Sequence, residues 1–265
     1  MARTSRRRSR QPYRAPDPAG DPATGLPGSV GGRPARRPAY RQERGGSGLP
    51  LLPLSLAGLA VGLVVVAALA LGGGGPSGSL ATPDASYPAE NADLSLGASD
   101  APVTVAEWAD FQCPACGAYA KTIEPRLIET YVKPGKVRLV FHNFAFLGAE
   151  STSAATAALC AGEQGRFWPY HGYVYANQSG ENQGAFRTER LRDIARATGL
   201  DMDTFDSCLS GGTARSRVVA ETSEAQRAGI TRTPTIVVGN QPALQGVPRW
   251  EQFQAVIEAD LAAGS

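Results

Sequence analysis

Cys113-Pro114-Ala115-Cys116 constrains this chain more than any other stretch of it. It stands where an apolar run, residues 103–111, gives way to a helical pattern that begins at Ala118. Two thiols at this spacing on a helix start can close and reopen a disulfide. The first helical turn offers free N–H groups and the positive end of the macrodipole, and both stabilise a thiolate. The thiolate is the reacting form of cysteine. Pro114 fits a first turn, where its missing N–H is not needed. A C-x-x-C is also half of a zinc site, but that chemistry needs a second pair of soft ligands nearby. Cys160 and Cys208 are single and far apart, and the chain's only histidines are His142 and His171. The pattern therefore points to redox chemistry, with no metal site and no cofactor expected.

The 265 residues are not uniform along the chain. Residues 1–48 hold 11 arginines against 3 acids, a net of +8, with almost no large apolar side chains. Such a segment cannot build a core and is expected to be disordered and cytoplasmic. Leu49 to Leu71 carries no charge over 23 residues and is mostly Leu, Val and Ala. That exceeds the roughly 20 residues a transmembrane helix needs. Arginines on its N-terminal side place that side in the cytoplasm and the rest of the chain outside. Ala68-Leu69-Ala70 resembles a small-x-small cleavage site, but the long n-region and long apolar stretch favour a retained single-pass anchor. Residues 72–94 are expected to be a flexible linker, and 95–265 a single folded domain. From residue 72 onward there are 15 Lys and Arg against 21 Asp and Glu, a net of −6. That balance argues against nucleic acid as the partner of the folded part.

Within that domain, residues 103–108 read as a strand buried on both faces. A helix is expected from Cys113 to about Tyr131, kinked at Pro125. Residues 136–146 alternate as a second strand behind the turn at Pro134-Gly135. Residues 148–229 are helical throughout, with faces built on Ala154 and Cys160, on Phe167 and Trp168, on Leu191 and Ile194, on Phe205 and Cys208, and on Val218. Strands return at 235–238 and around Ala243-Leu244, and Trp250, Phe253, Ile257 and Leu261 mark a closing helix. Cys160 and Cys208 both fall on apolar helix faces of the exported part, where unpaired thiols meet oxidant during folding. They are therefore expected to form a structural disulfide.

A C-x-x-C after the first strand of a βαβ pattern is the thioredoxin-like arrangement, here split by a helical insertion. Three segments carry a closer resemblance: Glu107-Trp108-Ala109-Asp110-Phe111-Gln112-Cys113-Pro114-Ala115-Cys116, Thr233-Pro234-Thr235, and residues 160–168. Over about residues 95–262 the chain resembles the DsbA-like thiol–disulfide oxidoreductases of the thioredoxin superfamily. The resemblance implies an α/β thioredoxin-like fold with an inserted helical subdomain. It also implies that Cys113 is the exposed nucleophile and Cys116 the buried resolving thiol. Thr233-Pro234 corresponds to a cis-proline loop that faces the cysteines and binds extended substrate. Glu107, six residues before Cys113, matches a buried carboxylate that exchanges protons with the second cysteine. Burial of such a group raises its pKa toward neutrality, as proton exchange requires.

The implied activity is formation of disulfides in reduced exported proteins. A membrane-bound, quinone-linked reoxidant, DsbB-like or vitamin K epoxide reductase-like, would restore the disulfide. Pro114-Ala115 lacks the histidine of the most oxidising members, which implies a milder oxidant. Two alternatives remain: a reductase or isomerase of exported disulfides, and a non-catalytic membrane-tethered binding or chaperone module. His142, His171 and Asp110 are expected to be structural.

Overall fold

In the computed structural model, residues 79–264 are described. The Arg-rich tail, the apolar span at 49–71 and the first residues of the expected linker lie outside them. Among the described residues no helix is long and apolar enough to cross a membrane.

Strand β1 (Val103–Ala109) is central, and two of its neighbours are β-branched or aromatic-rich runs that pair with it directly. It runs parallel to β2 (Val137–Asn143), with Val105 opposite Leu139 and Glu107 opposite Phe141. On its other edge β3 (Thr235–Val238) runs antiparallel, with Ile236 opposite Glu107. The short β4 (Leu244–Gln245) completes a sheet of order β2-β1-β3-β4. β1 is not buried on both faces, as its apolar run suggested. Val103, Val105, Glu107 and Ala109 are buried, while Thr104 is exposed and Ala106 and Trp108 are half-covered. The second face is shielded by cross-strand pairs, such as Trp108 stacked on His142 at 4.7 Å between ring centres.

The helix after the cysteines is segmented around Pro125. It consists of α1 (Pro114–Thr122), α2 (Glu124–Leu127) and a π-helical turn at Ile128–Val132. The backbone bonds Ile123 N–H to Tyr119 O and Leu127 N–H to Ile123 O carry the chain through the bend.

Five helices separate the halves of the sheet: α3 (Ala149–Gly162), α4 (Phe167–Ala176), α5 (Thr188–Ala197), α6 (Met202–Gly211) and α7 (Thr213–Arg227). α3 buries Ala154, Ala155, Ala157, Ala158 and Ala161, small side chains that let neighbouring helices approach closely. α4 buries Phe167, Trp168, Tyr170, His171, Val174 and Tyr175. Cys160 of α3 and Cys208 of α6 are joined by a disulfide with an S–S distance of 2.02 Å. The closing helix is α8 (Trp250–Gly264), which buries Trp250, Phe253 and Ile257.

Residues 79–94 are not a free tether. Glu90 accepts hydrogen bonds from the N–H groups of Phe167 and Trp168, each at 3.0 Å. These are first-turn donors of α4, which has no side-chain cap of its own. The Trp168 indole N–H donates to Leu94 O at 2.9 Å. The Asn177 amide bonds both the N–H and the carbonyl of Ala81. The folded unit therefore begins before residue 95, because α4 takes its cap and much of its cover from this segment.

Candidate active site

β1 ends at Ala109 and the chain turns through Asp110, Phe111 and Gln112 to set Cys113 at the head of α1. Asp110 is buried and organises this turn. Its Oδ1 accepts from Gln112 N–H at 2.8 Å and from the Ser151 hydroxyl at 2.6 Å. Its Oδ2 accepts from Phe146 N–H at 2.8 Å and Leu147 N–H at 3.0 Å. One carboxylate thus ties the cysteine loop to the loop after β2 and to α3. Gln178 donates to the carbonyls of Phe111, at 2.6 Å, and Cys113, at 3.1 Å. It reaches them because residue 117 is glycine; a Cβ there would lie 2.0 Å from Gln178 Oε1.

Cys113 and Cys116 are free thiols in this structure. Cys113 keeps 8% of its surface accessible and Cys116 none. Hydrogen bonding from Cys116 holds the Cys113 thiol down at about 6, against the opposing effect of burial. Thr233 and the backbone N–H groups of Cys116 and Ala115 add to the lowering. Burial, with the hydrogen bond to Cys113, pushes the Cys116 thiol well above its ordinary value. The pair is therefore split into an ionised sulfur, more buried than the exposed nucleophile that the resemblance implied, and a protonated, fully enclosed one.

Thr233-Pro234 is a cis peptide, and the Thr233 carbonyl oxygen lies 3.5 Å from Cys113 Sγ. Gly246 N–H donates to Pro234 O at 2.8 Å, which fixes this loop at the head of β3. Glu107 is fully buried behind the cysteines on the central strand, and neither carboxylate oxygen has a hydrogen-bond partner. Burial first, and then the charge of Cys113, push its carboxyl up to about 8. The fold thus brings Cys113 and Cys116 at the head of α1, Glu107 on β1 and the Thr233-Pro234 loop together from three separate elements. Cys160 and Cys208 belong to the insertion, not to this site.

Two residues read as structural stand as follows. His142 is half-buried against Trp108, and burial lowers its pKa. His171 is fully buried among aromatic rings, where burial pushes the imidazole down to about 3. Sequence reasoning missed Gln112, Ser151 and Gln178, whose roles depend on contacts tens of residues away. It also missed Glu124, a second fully buried carboxylate, which its helical surroundings gave no reason to single out. Among the described residues no cluster of His, Cys, Asp and Glu has the arrangement of a metal site.

A family model described as Thioredoxin matches residues 89–259. The relatives include a probable disulfide bond formation protein D from Bacillus anthracis, 32% identical over 171 residues, covering 63% of this chain and 77% of the relative. Disulfide bond formation protein D of Bacillus subtilis is 30% identical over 63% of this chain and 76% of its own length. Among solved structures, oxidised BdbD from Bacillus subtilis is similar with a TM-score of 0.60 at 27% identity, covering 69% of this chain and all 100% of that one.

Proposed function

The chain belongs to the thioredoxin family, in its DsbA-like thiol–disulfide oxidoreductase branch, and from that premise we propose that it oxidises exported proteins through Cys113 and Cys116. The observation that carries the direction is the split between the two thiols: Cys113 is held down at about 6 while Cys116 is enclosed and protonated. A stabilised thiolate favours the dithiol form, so the disulfide form readily gives up its bond to a substrate.

In this mechanism a substrate thiolate attacks Cys113 Sγ of the Cys113–Cys116 disulfide. Cys116 leaves as a thiolate and takes a proton from Glu107. A second substrate thiolate then attacks the substrate sulfur of the mixed disulfide, and Cys113 leaves as its stabilised thiolate. The backbone at Thr233-Pro234, beside Cys113, is where an extended substrate segment would pair. The reduced centre returns its two electrons to a membrane-bound, quinone-linked reoxidant of DsbB-like or vitamin K epoxide reductase-like chemistry. In this reading Leu49–Leu71 is a single-pass anchor, with the Arg-rich tail cytoplasmic and the catalytic domain outside; the uncharged span and the flanking arginines support it.

The test is oxidation of a reduced, disulfide-dependent protein by the purified chain. Cys113→Ser should abolish it, and Cys116→Ser should accumulate mixed disulfides. Alkylation trapping in cells decides the direction: a mostly oxidised Cys113–Cys116 pair supports the oxidase, and a mostly reduced pair favours a reductase or isomerase. Undiminished oxidation by Cys113→Ser would sink the assignment.

A further inference from the structure

Behind Cys116 the interior holds polar side chains that the exchange steps leave without a role. Glu124, at the start of α2, is fully buried, and neither of its carboxylate oxygens has a hydrogen-bond partner. His171 on α4 is also fully buried, with Nε2 3.5 Å from Glu124 Oε2. Tyr87, brought in by the N-terminal segment, faces Glu124. Its hydroxyl lies over Gly172, where an added Cβ would stand 2.8 Å away, and its ring centre is 6.2 Å from that of His171. Glu107 from β1, Tyr119 from α1 and Tyr175 from α4 complete the surroundings. Among the described residues no lysine or arginine forms an ion pair with Glu107 or Glu124.

An unpaired carboxylate in an apolar interior is costly, and two such neighbours do not both ionise. Burial and then the charge of Glu107 push the Glu124 carboxyl well up. The pair therefore holds at least one proton at neutral pH, and that proton belongs to the pair. Packing alone would be served better by apolar side chains at both positions. Glu107, fully buried, cannot by itself recover from solvent a proton that it gives to Cys116. Tyr87 and Tyr175, in contrast, line a surface cavity of about 200 Å³ together with Asp84 and Lys121.

We propose that Glu124, with His171 and Tyr87, carries protons between Glu107 and this cavity during thiol–disulfide exchange. The inference rests on the oxidoreductase reading above. When a substrate thiolate opens the Cys113–Cys116 bond, one S–S bond breaks, one forms at Cys113, and Cys116 leaves with the electron pair. The Glu107 carboxyl protonates that thiolate and becomes a carboxylate. The Glu124 carboxyl passes its proton to Glu107. The Tyr87 hydroxyl, which faces Glu124 and lines the cavity, gives Glu124 a proton and takes one from solvent there, while His171 Nε2, 3.5 Å from Glu124 Oε2, holds that carboxyl in place. Closing the disulfide runs the same transfers in reverse. Glu124 acts through Glu107, so it is a positioning residue and not a catalytic one.

The test follows the attack of Cys116 on a Cys113–glutathione mixed disulfide, by rapid mixing of the full chain between about pH 5 and about pH 9. Glu124→Gln should slow this step roughly tenfold or more and flatten its pH dependence, within the range general acid–base contributions span. Glu124→Asp should recover much of the rate, and the Cys113 thiolate titration should stay in place. Infrared spectra of Glu107→Gln at neutral pH should still show the carbonyl stretch of a protonated buried carboxyl. That measurement decides the matter even where Glu124→Gln fails to fold. A Glu124→Gln rate profile that superimposes on the parent, or the absence of that band, overturns the relay while leaving the oxidoreductase reading intact. A parent protein that neither forms nor resolves the mixed disulfide overturns both.

Discussion

Cys113 Sγ and the carbonyl oxygen of Thr233 meet at 3.5 Å, although 120 residues separate them along the chain. The contact sets the reachable sulfur against the backbone at the head of β3. In the proposed mechanism, a substrate segment lying along that backbone would bring its own sulfur within reach of Cys113.

Reduced Cys113 should titrate with a midpoint at about pH 6, followed by the ultraviolet absorbance of the thiolate. Hydrogen bonding from Cys116 is the largest cause, so Cys116→Ala should move the midpoint up toward the ordinary 9.0. The sign for stability follows from a pKa depressed in the folded state. Its contribution to the reduced protein is complete above about 9, and is lost as pH falls through about 6. The urea midpoint of the reduced form should therefore gain on that of the oxidised form between those limits. A flat difference across the window would count against the thiolate stabilisation.

Glu107→Gln should stabilise the fold at alkaline pH and slow disulfide exchange. The carboxyl is raised from 4.5 to about 8, so the parent loses stability as pH rises between those values. The variant should gain on the order of 1–3 kcal/mol above about pH 8 and nothing below about pH 4.5. Equal denaturant midpoints for the two proteins at high pH would refute the burial argument.

The Cys160–Cys208 bridge spans a sequence separation of 48 residues. Chain entropy assigns a loop of this size about 4 kcal/mol. Cys160→Ala with Cys208→Ala should lower unfolding free energy by up to that amount and leave Cys113–Cys116 exchange in place. Loss of exchange in a variant that is still folded would place the bridge in the catalytic machinery.

Glu90→Ala should cost about 1–2 kcal/mol, the range for removing a helix cap. It should also open residues 79–94 to proteolysis, because Glu90 holds the first turn of α4 through Phe167 and Trp168. Unchanged stability and protection would show that the segment is held mainly by Tyr87 and Trp168.

The sequence by itself determined the order of elements, the Cys113 and Cys116 pair at a helix start, and the helical insertion. These follow from local signals: β-branched and aromatic runs, helical spacing, the proline at a helix start and the cysteine spacing. The resemblance to DsbA-like proteins supplied the roles written for Glu107 and Thr233-Pro234. Tertiary structure alone decided the rest. The alternation of buried and half-covered positions on β1 depends on what β2 and β3 lay across it. Residues 79–94 have the composition of a tether, yet a few well-spaced side chains find the uncapped start of α4 and dock there. Asp110 looks like any loop acid until Ser151, Phe146 and Leu147 close around it. Glu124 and His171, 47 residues apart in sequence, become one buried pair only when α4 packs against α1 and brings His171 to the start of α2. Local pattern encodes an element and its apolar face, whereas desolvation of a charge is set by neighbours from distant parts of the chain, and no local pattern carries that information.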